Sequence, residues 1–169
     1  ATGLGQNHIF ANLANLPYVA GPSGRSMRLD HYADLVIRTK ASQAETMAQR
    51  NAMREHCQGL VSISRNAPMD DDACNLYVGR AFALTPEAAE EFGVPHVDQL
   101  PGGGCPFHPN CTHVEVPFFP EIMKESIVDR AVTSPPSWAL GRSWSEVQKE
   151  YMAKGGKAYA AKQNPNLRG

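Results

Sequence analysis

The chain has 169 residues, 42% of them hydrophobic, and a formal net charge of -1. This length suits one domain with extended arms, and near-neutral charge gives no global attraction to nucleic acid or an anionic membrane. No apolar run reaches the roughly 18 residues that a membrane span needs, and no basic-then-apolar secretory signal opens the chain. A first residue of Ala rather than Met is expected of a processed chain or a piece of a longer protein. The four cysteines, Cys57, Cys74, Cys105 and Cys111, do not form the framework of a small disulfide-stapled scaffold. Reduced thiols in a cytoplasmic setting are expected.

Residues 1–28 are rich in Gly, Asn and Pro without a sustained period, which predicts an extended arm that orders on another surface. From Leu29 the sequence turns to Ala, Met, Gln, Arg and Glu, all good helix formers. Two helices are predicted, over 29–38 and 41–57, with a break near Thr39–Ser42. Their spacing predicts that Tyr32, Val36, Ile37 and Met47 face the core. Gly59 stops the second helix, and the β-branched LVSIS (60–64) reads as a strand.

Residues 66–75 form an acidic loop. LYVGRAFAL (76–84) reads as a second strand with a bulge or turn at Gly79. In TPEAAEEFG (85–93) Thr85 is a cap, Pro86 the first helical residue and Gly93 the stop, which together predict a short helix. THVEVPF (112–118) reads as a third strand, closed by Pro117 and Pro120. Residues 120–132 are weakly amphipathic, and 142–169 read as a polar helix fraying into a tail. The fold class expected is α+β: N-terminal helices, then a small antiparallel sheet with Cys/His-bearing loops and extended terminal arms. The units expected are an arm over 1–28, a core over 29–132, and a C-terminal helix with a flexible tail over 133–169.

The chemistry concentrates in PGGGCPFHPNCTHVEVPF (101–118). Cys105, His108, Cys111 and His113 follow one another as C-x2-H-x2-C-x-H, stiffened by Pro106 and Pro109. Zinc favours thiolate and imidazole ligands in a tetrahedron, and Cys74 in the acidic loop supplies a remote ligand for a two-loop site. The alternative is a structural turn in which His108 and Asn110 bond backbone groups while Cys105 and Cys111 act as small buried hydrophobes.

Other polar groups have plainer readings. Asp70, Asp71 and Asp72 suit a hard cation or a solvated loop, and Asp71 lies three residues from Cys74. Arg38 suits a buried arginine capping helix carbonyls. Trp138 and Trp144 suit packing anchors. A Cys–His nucleophile requires a third orienting group that the sequence does not identify.

GRSMRLDHYADLVIRT (24–39), GLVSIS (59–64), CNLYVGRAFAL (74–84) and PFHPNCTHVEVPF (106–118) together resemble the tailed-phage minor capsid protein 2 family, related to the Mu-type minor head morphogenesis proteins. Order and spacing match over about 24–118, and HPNC followed by a basic or small residue (here Thr112) and then His is the specific part. The family often has a paired C-x2-C before the second strand, where this chain has Asp71 and Cys74. Cys105 stands where the family commonly has Pro or another residue. The site implied by the resemblance is Asp71, Cys74, His108 and Cys111 around zinc, with Cys105 or His113 substituting for Asp71.

The resemblance implies a non-enzymatic, low-copy component of the phage head, near the portal or inner capsid surface. Its role would lie in head morphogenesis or in genome packaging and delivery. The implied partners are the portal, major capsid protein and connector, with contact to packaged DNA and none to membrane. The implied location is the virion head, assembled in the host cytoplasm. The alternative is an enzyme delivered with the virion, a nuclease or an ADP-ribosyl transferase-like cargo. A free zinc-dependent nucleic-acid binder fits less well, because phosphate binding needs a concentrated basic face.

Overall fold

The computed structural model describes residues 18–20, 26–56, 59–64 and 72–167. Asp70, Asp71 and Cys57 lie outside them, as do residues 1–17 of the predicted arm. The fold is α+β, with helix first and sheet after.

Within the region read as an arm, β1 (Tyr18–Ala20) and β2 (Ser26–Arg28) pair antiparallel, Val19 opposite Met27. Chain then passes directly into α1 (Leu29–Glu55), a single helix of 27 residues. The predicted break near Thr39–Ser42 is absent. No Gly or Pro interrupts that stretch, and the Thr39 hydroxyl donates to the Leu35 carbonyl at 2.7 Å, so the β-branched residue is accommodated inside the helix.

The predicted core face of α1 is also corrected. Val36, Ile37 and Met47 are exposed at 38%, 66% and 64%, and Tyr32 is half-buried. The buried residues are Leu35, Thr46 and Arg50. Several periodic stripes coexist on an Ala-rich helix, and the one that packs is set by what it meets: the narrow seam ending in the polar pair at Arg50.

The three-stranded sheet has the order β4 (Ala81–Ala83), β3 (Leu60–Ile63), β5 (Glu115–Pro117), with both pairings antiparallel. Its central strand β3 (Leu60–Ile63) is buried throughout, as a strand covered on both faces must be. Val61 and Ile63 join the larger core with Leu76, Tyr77, Phe82 and Tyr151. Leu60 joins a smaller one with Ala81, Ala83, Ala88 and Phe118. The period of two in β3 and in β4 (Ala81–Ala83) thus divides residues between two layers.

The second predicted strand is largely replaced. Residues Ala73–Leu76 form a 3-10 turn, and Gly79, at φ +73, reverses the chain before the short β4. Helix α2 (Pro86–Phe92) forms as read. Thr85 Oγ1 accepts from the Ala88 N–H at 3.2 Å, and Gly93 closes it at φ +64. Strand β5 is Glu115–Pro117, and α3 is Glu125–Ala131.

The C-terminal segment does not fray over the described residues. It forms α4 (Trp144–Ala153) and α5 (Gly156–Gln163), which pack on the 73–76 turn. Asn164 is fully buried, and its amide donates to the carbonyls of Asn75 at 2.8 Å and Val78 at 2.9 Å. Arg80 is also fully buried and donates to the carbonyls of Thr133, two residues past α3, and Gln163, the last residue of α5. The helix-capping arginine is therefore Arg80, whereas Arg38 is exposed and pairs with Asp34 at 3.0 Å. Burial pushes the Arg80 guanidinium down to about 10, and the two carbonyl ends keep the cation solvated.

Candidate metal centre

Residues 108–111 form a tight turn. The Cys111 N–H donates to the His108 carbonyl at 3.0 Å, and Asn110 sits at φ +67. Proline at the second position presets φ, and asparagine tolerates the left-handed third position, as a type II turn requires. The HPNC sequence therefore encodes a turn that presents His108 and Cys111 together. The 73–76 turn is built to match it. Asp72 caps that turn, its Oδ1 accepting from the Cys74 N–H at 2.9 Å, and the Gln148 side chain accepts from the Ala73 N–H at 2.8 Å.

The two turns meet. The ligand atoms of Cys74, Cys111 and His113 lie within 4.8 Å of one another, as do those of Asp72, Cys74 and His108. Cys111 Sγ is 3.6 Å from His113 Nδ1, and His108 Nε2 is 3.6 Å from Asp72 Oδ2. Ligands on a tetrahedral zinc, with bonds of about 2.0–2.3 Å, stand roughly 3.3–3.8 Å apart. Among the predicted site residues, Cys74, His108, Cys111 and His113 are brought together. Cys105 is buried next to the cluster but belongs to neither group, and burial pushes its thiol up. Asp71 lies outside the described residues.

Asp72, read in the sequence only as part of an acidic cluster for a hard cation, takes the place beside Cys74 that the resemblance gave to Asp71. Its signal was its position: an Asp two residues before Cys74 caps the turn with one oxygen and leaves the other for His108. Trp144 was read only as packing, but its ring lies 4.7 Å from that of His108, centroid to centroid, and stacks on Phe107.

The state of His108 is informative. Its Nδ1 lies 2.8 Å from the Pro109 carbonyl, which can only accept, so Nδ1 carries a proton. Its Nε2 is buried and has no hydrogen-bond partner among the described residues. Metal-bound histidines almost always donate the other ring N–H to a carbonyl or carboxylate in this manner. Without a cation the cluster is an ion pair. The Cys74 thiol, then His108 and His113, pull Cys111 down to about 2 against burial. Burial opposes charging His108, but Asp72 and Cys111 raise it to about 10. Burial pushes the Cys74 thiol up. A divalent cation would take the place of these protons.

Beneath the loops, Arg50 Nε donates to Glu115 Oε2 at 2.6 Å and Arg50 Nη2 donates to the Gly103 carbonyl at 2.6 Å. Glu115 Oε1 accepts from the Cys105 N–H at 3.0 Å. A Cβ on Gly104, which is at φ +116, would lie 2.0 Å from Arg50 Nη2. The PGGGC run thus lets the backbone cross a buried ion pair that ties α1, β5 and the start of the Cys/His loop together.

A family model described as Phage minor capsid protein 2 matches residues 10–135, about three quarters of the chain. This chain belongs to the phage minor capsid protein 2 family. The match includes every residue of the cluster. It ends before α4 and α5, so Trp144 and Gln148, which brace the minor capsid protein's two turns, lie beyond it. No curated protein and no solved structure matches the chain. Family membership gives the protein a structural role in the virion and, with it, other virion proteins as partners. No helix among the described residues is long and apolar enough to cross a membrane.

Proposed function

We propose that this minor capsid protein is a low-copy assembly component of the phage head, placed near the portal or the inner capsid surface. It would act in head morphogenesis or in genome packaging and delivery, with the Cys/His cluster as a structural zinc site. The observation that carries the zinc reading is His108, its Nδ1–H fixed on a carbonyl and its buried Nε2 facing Cys74 and Asp72, 3.6 Å from Asp72 Oδ2 and beyond hydrogen-bond distance. Cys74, His108 and Cys111 supply three ligands, and Asp72 or His113 the fourth. Bound zinc would supply no chemistry beyond holding the two turns at fixed separation. Trp144 holds the His108 ring in place, and Asp72 keeps the 73–76 turn closed. Four protein ligands close the coordination sphere, as in structural rather than catalytic zinc sites.

The family match supports the virion role, and the exposed apolar side chains Ile37 and Met47 on α1 support contact with neighbouring chains. Purified virions labelled on this chain test the placement. Label at the portal vertex or inside the shell is expected, and label spread evenly over the outer shell would overturn it. An imidazolium–thiolate pair is also what a cysteine nucleophile uses, so a virion-delivered enzyme is the competing reading. A Cys111→Ser particle that assembles normally and loses a hydrolase, nuclease or transferase activity would decide for it.

A further inference from the structure

The two cysteines of the cluster differ in access. Cys74 is fully buried, on the 73–76 turn. Cys111 is half-buried and lines an open cleft of about 320 Å³ between α1 and the loop, with Arg38, Thr39, Ser42 and His108 on its walls. Their sulfurs lie within 4.8 Å of each other, on two loops far apart in sequence. A disulfide needs about 2.05 Å between sulfurs and Cα atoms within about 7 Å of each other, so the two turns must close by a few ångströms to form it. In a zinc site the ion holds them apart and both are committed as ligands. Without it, one thiol faces a cleft and the other stands behind it.

We infer that Cys111 is a thiol-oxidation site resolved by Cys74, so that this pair exchanges a bound metal for a Cys74–Cys111 disulfide. The co-reactant is a low-molecular-weight disulfide such as oxidised glutathione, which reaches Cys111 from the open cleft. Cys111 attacks as thiolate, forming a bond to one glutathione sulfur, and the glutathione S–S bond breaks. The first glutathione leaves as thiolate and takes up the proton given up by Cys74. Cys74 then bonds to the Cys111 sulfur, displacing the second glutathione, which takes its proton from solvent. Two protein thiols are oxidised by two electrons, and one glutathione disulfide is reduced to two thiols. Either form clasps the same two turns, so the fold keeps a cross-link when metal is lost.

The inference rests on the metal reading only for the protection that bound zinc confers. The test uses the whole chain, once loaded with zinc and once stripped by chelator, each exposed to oxidised glutathione and mapped by tandem mass spectrometry. The stripped protein should lose two hydrogen atoms, gain no glutathione and show Cys74 linked to Cys111. The zinc-loaded protein should react at least about tenfold more slowly, because its thiolates are coordinated. Glutathione retained on Cys111, a bond to Cys57 or Cys105 instead, or no reaction of the stripped protein would overturn the inference. A chain that takes up no zinc yet forms the Cys74–Cys111 bond sinks the metal reading alone. Cys74→Ser, where it folds, should stop at glutathione on Cys111, and a disulfide formed elsewhere in that variant would count against the pair.

Discussion

Arg50 and Glu115 meet in a buried, two-pronged ion pair spanning 65 positions of sequence, with Glu115 fully enclosed and Gly104 passing over it. The carboxylate also holds the Cys105 N–H, so helix, sheet and loop share one anchor below the Cys/His cluster. Breaking one side of such a pair leaves the other charge buried. Glu115→Gln should therefore cost about 3–5 kcal/mol of stability in urea unfolding. A change under about 1 kcal/mol, the scale of a surface pair, would show that the pair is solvated in solution.

Gly104→Ala should destabilise by at least about 1–3 kcal/mol, since the added methyl would overlap the Arg50 guanidinium and the backbone is left-handed there. Thermal melting checks it. Gly102 is the control, because a Cβ there meets nothing within 4 Å and only its φ of +66 opposes the change.

Helix α1 yields a contrast between two residues two positions apart. Leu35 is 7% exposed and Ile37 66%. Leu35→Ala should cost about 2–5 kcal/mol, and Ile37→Asp should stay within about 0.5 kcal/mol. Equal losses at both would mean that the exposed face of α1 is covered in the isolated protein.

These corrections follow a pattern. Elements with strong local signals were legible: the Thr85–Pro86–Gly93 helix, the LVSI strand, and the HPNC turn whose Pro and Asn fix its shape. The facing of α1 was not, because its packing stripe ends on Arg50, a residue that sequence reasoning assigns to solvent and only Glu115 draws inside. The tail was misread for the same reason. Asn164 looks like a loop residue until the carbonyls of Asn75 and Val78 appear beside it. At the site, ligand types were visible in the sequence, but not that Asp72 reaches His108, since that depends on how the 73–76 turn caps itself.

Asn164→Ala should therefore cost about 2–4 kcal/mol, because it removes a buried amide that donates to two buried carbonyls. Proteolysis would accompany the loss, with early cuts in the last two helices. Unchanged stability would restore the reading of a loose tail.

Metal-free protein should show a stability plateau in pH. Cys111 is lowered from 9.0 to about 2, so its contribution is complete above pH 9 and is lost as pH falls toward 2. His108 is raised from 6.5 to about 10, so its contribution is complete below pH 6.5 and is lost as pH rises through 10. The two slopes cancel between pH 6.5 and 9. The stability this pair adds should be flat in that window and fall on both sides. The Cys74 thiol still lowers Cys111 in His108→Gln, so the difference in urea unfolding between metal-free wild type and this variant reads the His108 arm: it should shrink as pH rises from 6.5 through 10, and a difference that does not vary with pH would contradict the ion pair.

The most direct test of the metal clasp is the metal content of the folded chain. Protein purified without chelator and analysed by plasma mass spectrometry should hold about one zinc per chain, and Cys74→Ser, His108→Gln and Cys111→Ser should each lower it. Cobalt in its place should give the visible bands of a tetrahedral thiolate site, and stripping the metal should lower the melting temperature. Folded protein that carries no metal, takes up neither zinc nor cobalt, and melts unchanged in chelator would contradict the account.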